Sequence, residues 1–589
     1  MTALVALGCG DDDGPTDEMP PDMATDQGAP DPDDLGMDPD IGPSDMGIEF
    51  GDLSDLRVRD AELEVPFEAS GGGTLDTIVG WLTDTIQIQP FSEADSAVIT
   101  VDGEEVASGA YSDPVTLTGA TTEIEITIDH LGNGYTYTLV VHRNERSTYF
   151  KPLDPSVGDS FGEGIALEGD TLIVGAPADA SAAIGIDGDP EDDSAFWRGA
   201  AFVFRRSFDG SWTEEAYLKP DTAGERMRFG YAIDMEGDVA VISALDANRV
   251  YVFRRTDGVW AQEDVLAHAS PDTEDKFGES VAISGDTIAV GVRLDDSASA
   301  GIGGDPANNG LENSGAVFVF RRSGAGWERE AFIKASNAGM GDLFGSSVAL
   351  DGNRLLVGAP GERSNAVDVG GDQTDDSLEL AGAAYVFERT GTAWSQVAYL
   401  KASNPDARDE FGRTVAASGD FLVVGAPHES SSATGFDGDG SSNDAYRSGA
   451  AYIFRRTGTA VVPMAYVKSS NPAMNHDFGR GIAIEGSFMV IGARGDRSTA
   501  TGLDGDQSID SLDAAGAGYA FRFDGASWEQ THFIKPPNTQ MQMLFGAPVD
   551  IAGTWVAFGA IWENGGGSGV ASPTELQGSA SRSGAAYVF

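Results

Sequence analysis

Two textures of apolar and polar positions divide most of the chain. Between residues 51 and 146 the alternation has period two, as in Thr85-Ile-Gln-Ile-Gln89, Ala97-Val-Ile-Thr-Val-Asp102, Glu123-Ile-Glu-Ile-Thr-Ile-Asp129 and Tyr135-Thr-Tyr-Thr-Leu-Val-Val-His142. β-Branched and aromatic residues at every second position, separated by Gly, Asp and Pro, predict half-buried strands packed as one small β-sandwich. From residue 147 onward the pattern becomes a series of shorter β-like pieces that repeat. One unit reads Phe411-Gly-Arg-Thr-Val-Ala-Ala, Phe421-Leu-Val-Val-Gly-Ala-Pro427, Gly449-Ala-Ala-Tyr-Ile-Phe454 and Met464-Ala-Tyr-Val-Lys468.

The repetition has a fixed marker. A Phe-Gly pair begins at Phe161, Phe229, Phe277, Phe344, Phe411, Phe478 and Phe545, at intervals of 68, 48, 67, 67, 67 and 67 residues. Four short strands per unit describe a propeller blade, and seven units fall within the usual range of blade numbers. Turns such as Glu168-Gly-Asp170, Ser284-Gly-Asp286 and Asp351-Gly-Asn353 join the first two strands of a unit, with Gly supplying the positive φ. The seventh unit stops at Tyr587-Val-Phe589, after its third strand, and lacks the piece seen as Ala398-Tyr-Leu-Lys401. An equivalent piece, Thr148-Tyr-Phe-Lys151, precedes the first Phe-Gly. That strand is predicted to complete the last blade and close a ring, which removes open sheet edges.

With Phe-Gly near the start of a unit and Val-Gly-Ala-Pro after its second strand (Val174–Pro177, Val357–Pro360, Val424–Pro427), the units resemble FG-GAP repeats, the blades of the integrin alpha-chain propeller and of many bacterial surface proteins. Units two, three and seven depart from this at Ile242-Ser-Ala244, Val290-Gly-Val292 and Phe558-Gly-Ala560, losing the Pro turn. The fold expected is all-β: a seven-bladed propeller over residues 147–589, preceded by a sandwich over 51–146. The sandwich resembles the bacterial cadherin-like domain, whose last strand carries a Tyr-x-Tyr-x-Leu pattern, here Tyr135 to Leu139. The Phe is expected to pack between blades and the Gly to allow close backbone approach.

Composition adds location. The chain has 589 residues, 95 Asp+Glu against 36 Lys+Arg, and a formal charge of −59, which excludes nucleic-acid binding through a broad basic surface. Residues 1–50 hold 14 of the acids and no Lys or Arg, so residues 10–50 are expected to form a disordered, self-repelling tether. The single Cys, Cys9, follows the short apolar run Leu4-Val-Ala-Leu-Gly8. Residues 1–9 resemble a truncated bacterial lipobox, which implies cleavage before Cys9 and its acylation. The positive residues expected of a signal peptide are missing. The location expected is the bacterial outer membrane or cell surface, reached only through the lipid.

Blade two is shorter because a long connection between second and third strands is missing there. In five other units that connection carries Asp and Gly: Asp187-Gly-Asp189 with Asp192 and Asp193, Gly304-Asp305, Gly371-Asp372 with Asp375 and Asp376, Asp437-Gly-Asp439 with Asp444, and Asp504-Gly-Asp506 with Asp510. Alternate Asp around Gly offers converging carboxylates for Ca²⁺, and an Asx-turn-rich loop without metal accounts for the same pattern. The metal positions of the integrin relatives lie between first and second strands, here a tight hairpin, so they do not transfer.

Other signals are discounted. Gly158-Asp-Ser160-Phe-Gly162 matches a nucleophile elbow, but Ser160 stands where other units have Arg228, Lys276, Leu343, Glu410, Asp477 and Leu544. Arg494-Gly-Asp496 matches an integrin-binding tripeptide by coincidence, and the six His are scattered. Arg pairs after the third strand (Arg205-Arg206, Arg254-Arg255, Arg321-Arg322, Arg455-Arg456) are expected to meet acidic neighbours, or to form a rim for an anion. The function expected is binding or adhesion to an extracellular protein or glycan by a monomeric surface lipoprotein, without catalytic residues. The alternatives are a purely structural envelope protein and a lyase or hydrolase acting on extracellular polysaccharide. The enzyme would need acids or His converging at strand starts, which the repeats do not display.

Overall fold

A computed structural model describes residues 53–59, 72–94, 96–144, 147–152, 154–222, 224, 226–268, 274–324, 326–571 and 580–589. The tether and Cys9 lie outside them. The small N-terminal domain is built mainly on a five-stranded sheet whose longest strands are Thr121–His130 and Asn133–Arg143. Gly73–Val79 pairs with the latter in parallel. Its core holds Ile99, Ile124, Ile126, Ile128, Leu139 and Val141, the apolar half of the alternating pattern.

Among the described residues, the rest forms seven sheets of at least four antiparallel strands. The fifth is typical: Thr414–Ser418, Phe421–Ala426, Ala450–Thr457 and Ala460–Val467, hydrogen-bonded in chain order. Its second strand is buried at every position, because blades cover both faces of it; alternation is therefore absent there. In each of the first six blades the pairing of the third and fourth strands shifts register once, as at Ile453/Phe454, bending the outer strand. The first strand of each blade meets the first strand of the next, and that of the seventh meets that of the first. The sheets close into a ring.

Closure uses the strand expected. Thr148–Lys151 pairs antiparallel with Ala585–Val588, Thr148 opposite Val588 and Tyr149 opposite Tyr587. The N-terminal domain packs on this same blade, where Trp81 stacks on Phe589 at 5.9 Å and the Gly80 N–H donates to Thr554 Oγ1 at 3.0 Å. In blade two, a short 3-10 turn over Leu245–Ala247 replaces the long connection.

The Phe-Gly pair works at the joint between blades. Phe229 is fully buried among residues of blades one and two, with the rings of Tyr251 and Phe253 at 5.6 and 5.9 Å. The following Gly is pressed on the neighbouring backbone: a Cβ on Gly412, at φ +88, would lie 2.2 Å from the Ala383 carbonyl oxygen. Its own carbonyl faces the Gly of the preceding Gly-Ala-Pro, since a Cβ on Gly358 would lie 1.9 Å from Gly412 O. Two glycines thus meet at this crossing, whereas at the joint of blades two and three Ser243 takes the place of the first.

Candidate functional site

In each blade the first strand begins, the second ends and the third begins at the same end of the sheet. The long loops and the Phe-Gly pairs therefore share one face of the ring.

The loop aspartates are largely engaged by their own loops. Asp187, Asp437 and Asp504, at φ +55, +50 and +52, accept the N–H of Tyr217 (3.0 Å), Tyr466 (2.9 Å) and Phe533 (2.9 Å) in the fourth strand of their own blade. The next acid closes an Asx turn: Asp189 accepts from Glu191 N at 3.0 Å, Asp372 from Thr374 N at 2.9 Å, Asp439 from Ser441 N at 3.0 Å and Asp506 from Ser508 N at 2.9 Å. Asp193 accepts from Ser156 Oγ at 3.1 Å, Asp510 faces His476 Nε2 at 3.5 Å, and Asp376 and Asp444 are exposed. Ca²⁺ takes about 6–8 oxygens. Among the described residues no group of three or more His, Cys, Asp or Glu side chains is placed to hold one metal ion.

Beneath the loops lies a device the sequence reading passed over. The Lys ending the fourth strand is fully buried and meets an acid following the second strand: Lys219–Asp179 (2.5 Å), Lys334–Asp295 (3.0 Å), Lys401–Glu362 (2.8 Å), Lys468–Glu429 (2.6 Å), Lys535–Asp496 (3.0 Å) and Lys151–Glu563 (2.9 Å). Burial alone lowers each Lys pKa, and the adjacent carboxylate opposes that. Blade two has His268 in this place, 3.5 Å from Asp295 of the next blade. Asp496, the acid of Arg494-Gly-Asp496, is wholly buried against Lys535 and is closed to any receptor. The signal was the recurring Tyr/Phe-Leu/Ile-Lys ending, read only as a strand.

The centre of the ring is a channel of about 440 Å³ lined by the first strands. At its loop-side mouth stands the residue two after each Phe: Glu163, Tyr231, Glu279, Ser346, Arg413, Arg480 and, without a polar group, Ala547. Charged groups therefore do converge at strand starts, which corrects the expectation that they do not. Burial raises the Glu163 carboxyl despite Arg228 and Arg480. Burial also pushes Tyr231 up to about 12, helped by Glu279 and Glu163, and lowers Arg480 to about 9, helped by the like charges of Arg413 and Arg494.

The family model for the FG-GAP repeat matches residues 150–204, 212–253, 260–320, 327–387 and 394–454. This is an FG-GAP repeat protein. No curated protein matches its sequence. Solved structures similar to the FG-GAP chain include Sqt1 of Saccharomyces cerevisiae (10% identity, TM-score 0.36, covering 75% of this chain and 97% of that one). A periplasmic gluconolactonase of Pseudomonas aeruginosa is 13% identical at a TM-score of 0.35, over 83% of this chain and 98% of that one. A putative 6-phosphogluconolactonase of Bacteroides fragilis is 11% identical at 0.37, over 76% and 97%.

On the loop face of the FG-GAP ring, blades one and seven flank a second cavity, of about 500 Å³. Phe196 and Trp197, from the long loop of blade one, stack at 4.8 Å and 16° and remain 53% and 44% exposed. Trp562 of blade seven lies under the Arg582 guanidinium at 4.4 Å. Ser156, Asp159 and Asp193 complete the polar wall. Asp159 is buried, accepts the Ser156 N–H at 2.7 Å, and is pushed up to about 7 by burial and by Asp179. The aromatic pair leaves the same long loop as Asp187 and Asp189, and the sequence reading did not single it out.

At the outer edge the Arg pairs meet acids, as expected. Arg205 contacts Asp170 (2.6 Å), Arg255 grips Glu215 of the preceding blade at 2.7 and 2.8 Å, Arg322 meets Glu263 (2.9 Å) and Arg456 meets Glu388 (3.0 Å). Arg205 pairs within its own blade, while Arg255, Arg322 and Arg456 each reach the preceding one and tie FG-GAP blades together.

Proposed function

We propose that the loop-bearing face binds a glycan, and that the protein does so as a lipid-anchored surface module of a bacterium. The carrying observation is the stacked, half-exposed Phe196–Trp197 pair at a cavity that also holds Trp562. Large aromatic surface left in water is costly unless a ligand covers it. A sugar ring offers an apolar face to such a platform and hydroxyls to Asp159, Asp193 and Ser156. Saturable binding of a soluble saccharide to the full chain, followed by tryptophan fluorescence, tests this. The reading requires Trp197→Ala or Trp562→Ala to weaken binding at least tenfold with unchanged melting. Equal binding by both variants, or no saccharide bound, overturns it.

The anchor belongs to the same proposal and rests on Cys9. Cells fed labelled palmitate should label the protein, and Cys9→Ser should not be labelled. Among the described residues no helix is long and apolar enough to cross a membrane.

One observation favours an enzyme as second reading. A carboxyl raised to about 7 at a cavity wall, as at Asp159, is protonated often enough to donate to a leaving oxygen. That reading requires new reducing ends from a polysaccharide, abolished by Asp159→Asn, whereas binding alone produces none.

A further inference from the structure

From the channel mouth we infer a second site: Arg413 and Arg480 form a receptor for a small oxyanion, a carboxylate, sulfate or phosphate group. This inference is independent of the glycan cavity.

The two arginines occupy equivalent positions on adjacent blades, and Thr414, next to Arg413, donates its hydroxyl to the Arg480 carbonyl at 2.9 Å. Both are only partly exposed and both line the channel. Among the described residues neither has a carboxylate within 4 Å, although the chain holds 95 acids. The arginines at the outer edge show what this chain does with a cation that serves only packing: Arg255 is bidentate on Glu215, and Arg389 reaches Glu330.

The acids around the mouth are already engaged or opposed. Asp477 is held by Arg447 at 3.0 Å and Arg494 at 3.4 Å, Glu279 by Arg293 at 3.2 Å, and Glu410 by His428 at 3.2 Å. Glu163 remains, with its carboxyl biased toward the neutral form by burial. Arg228 adds a further cation, over the Tyr231 ring at 4.6 Å. The mouth is thus a basic spot in a chain of charge −59, walled by low-dielectric strands that strengthen attraction for an anion. Guanidinium forks match the planar or tetrahedral oxygens of these groups, and Tyr231 stands on the same wall with a hydroxyl for a remaining one.

The test is titration of the full chain with sodium sulfate, sodium phosphate and sodium galacturonate at constant ionic strength set by chloride, followed by calorimetry. At least one oxyanion should bind saturably. Arg413→Gln and Arg480→Gln should each weaken it tenfold or more, while Arg205→Gln, at the outer edge, binds as the parent does. Because Arg480 stands among like charges, Arg480→Gln should melt no lower than the parent in chloride alone. The inference is overturned if none of the three anions binds, or if both channel variants bind as the parent does. It is also overturned if the response follows ionic strength rather than the anion. Loss of sulfate binding with saccharide binding intact in Arg413→Gln would mark the two sites as separate.

Discussion

Lys151 Nζ donates to Glu563 Oε2 at 2.9 Å across 412 positions of chain, and both side chains are shut off from water. The same ammonium reaches Ser583 Oγ and the Gly584 carbonyl, each at 2.5 Å. The strand that carries Lys151 supplies the last edge of blade seven, so this pair sits where the ring is fastened. Lys151→Met leaves a buried carboxylate without its cation and should cost about 3–5 kcal/mol. Adding Glu563→Gln should recover most of that loss. Denaturant unfolding of the single and double variants checks it; a double variant no more stable than Lys151→Met would contradict the pairing.

Phe150, one residue earlier, packs edge-on against Phe204 at 5.0 Å and Trp212 at 5.4 Å. Phe150→Ala should cost about 3–5 kcal/mol. Limited proteolysis of that variant should cut first near residues 148–151, since this ring holds the closing strand against blade one.

The glycine crossings predict a sharp contrast. A Cβ on Gly358 would meet the backbone oxygen of Gly412 at 1.9 Å, whereas one on Gly73 meets nothing within 4 Å. Gly358→Ala should destabilise by at least about 1–3 kcal/mol, the usual cost of overpacking, because no side chain there is free to yield. Gly73→Ala should be near neutral. Thermal melting of both variants gives the comparison.

Stability should fall as pH rises from about 5 to 8. Asp234 and Asp550 are raised to about 8 and about 7, first by burial, although each accepts two backbone N–H groups, Asp234 from Met235 and Ile283 and Asp550 from Ile551 and Leu167. In the unfolded chain the same carboxyls lose their protons near the ordinary 3.8. The native state therefore binds more protons between the two values and is favoured by acid across that window. Asp295 is lowered against burial by His268 and Lys334, and Asp496 by Lys535 and His476, so both act below the window. The Tm drop from pH 5 to 8 should be smaller in Asp234→Asn than in the parent.

For the acidic loops, the hydrogen bond from the Tyr466 N–H to Asp437 at 2.9 Å gives a metal-free role. Asp437→Ala should lose about 1 kcal/mol, the worth of one such bond, to the same extent in Ca²⁺ and in chelator. A loss confined to Ca²⁺ would support the metal reading instead.

The ring, its closing strand and the loop-bearing connections were legible because each is written as repetition. The intervals from Phe161 to Phe545 expose the blades, and Thr148-Tyr-Phe-Lys151 repeats the fourth-strand ending ahead of the first Phe-Gly. What stayed hidden depends on direction rather than period. Lys401 and Glu362 lie 39 positions apart, and only the folded blade turns both inward. Glu163, Arg413 and Arg480 occupy one column of the repeat, yet no property of that column says it faces the channel. The parallel pairing of Gly73–Val79 is likewise invisible, because alternation reports which face is buried and not which neighbour is paired. The Asp-Gly pattern stayed ambiguous because a carboxylate beside Gly serves an Asx turn and a cation equally well.

The central claim is that the Trp197–Trp562 cavity binds sugar, and an array of immobilised bacterial and plant glycans probed with the full chain tests it most directly. The account predicts a restricted set of bound glycans, with Trp197→Ala/Trp562→Ala losing all of them while Arg413→Gln keeps them. An array pattern shared by the parent and the double Trp variant, or no glycan bound by the parent, would contradict it.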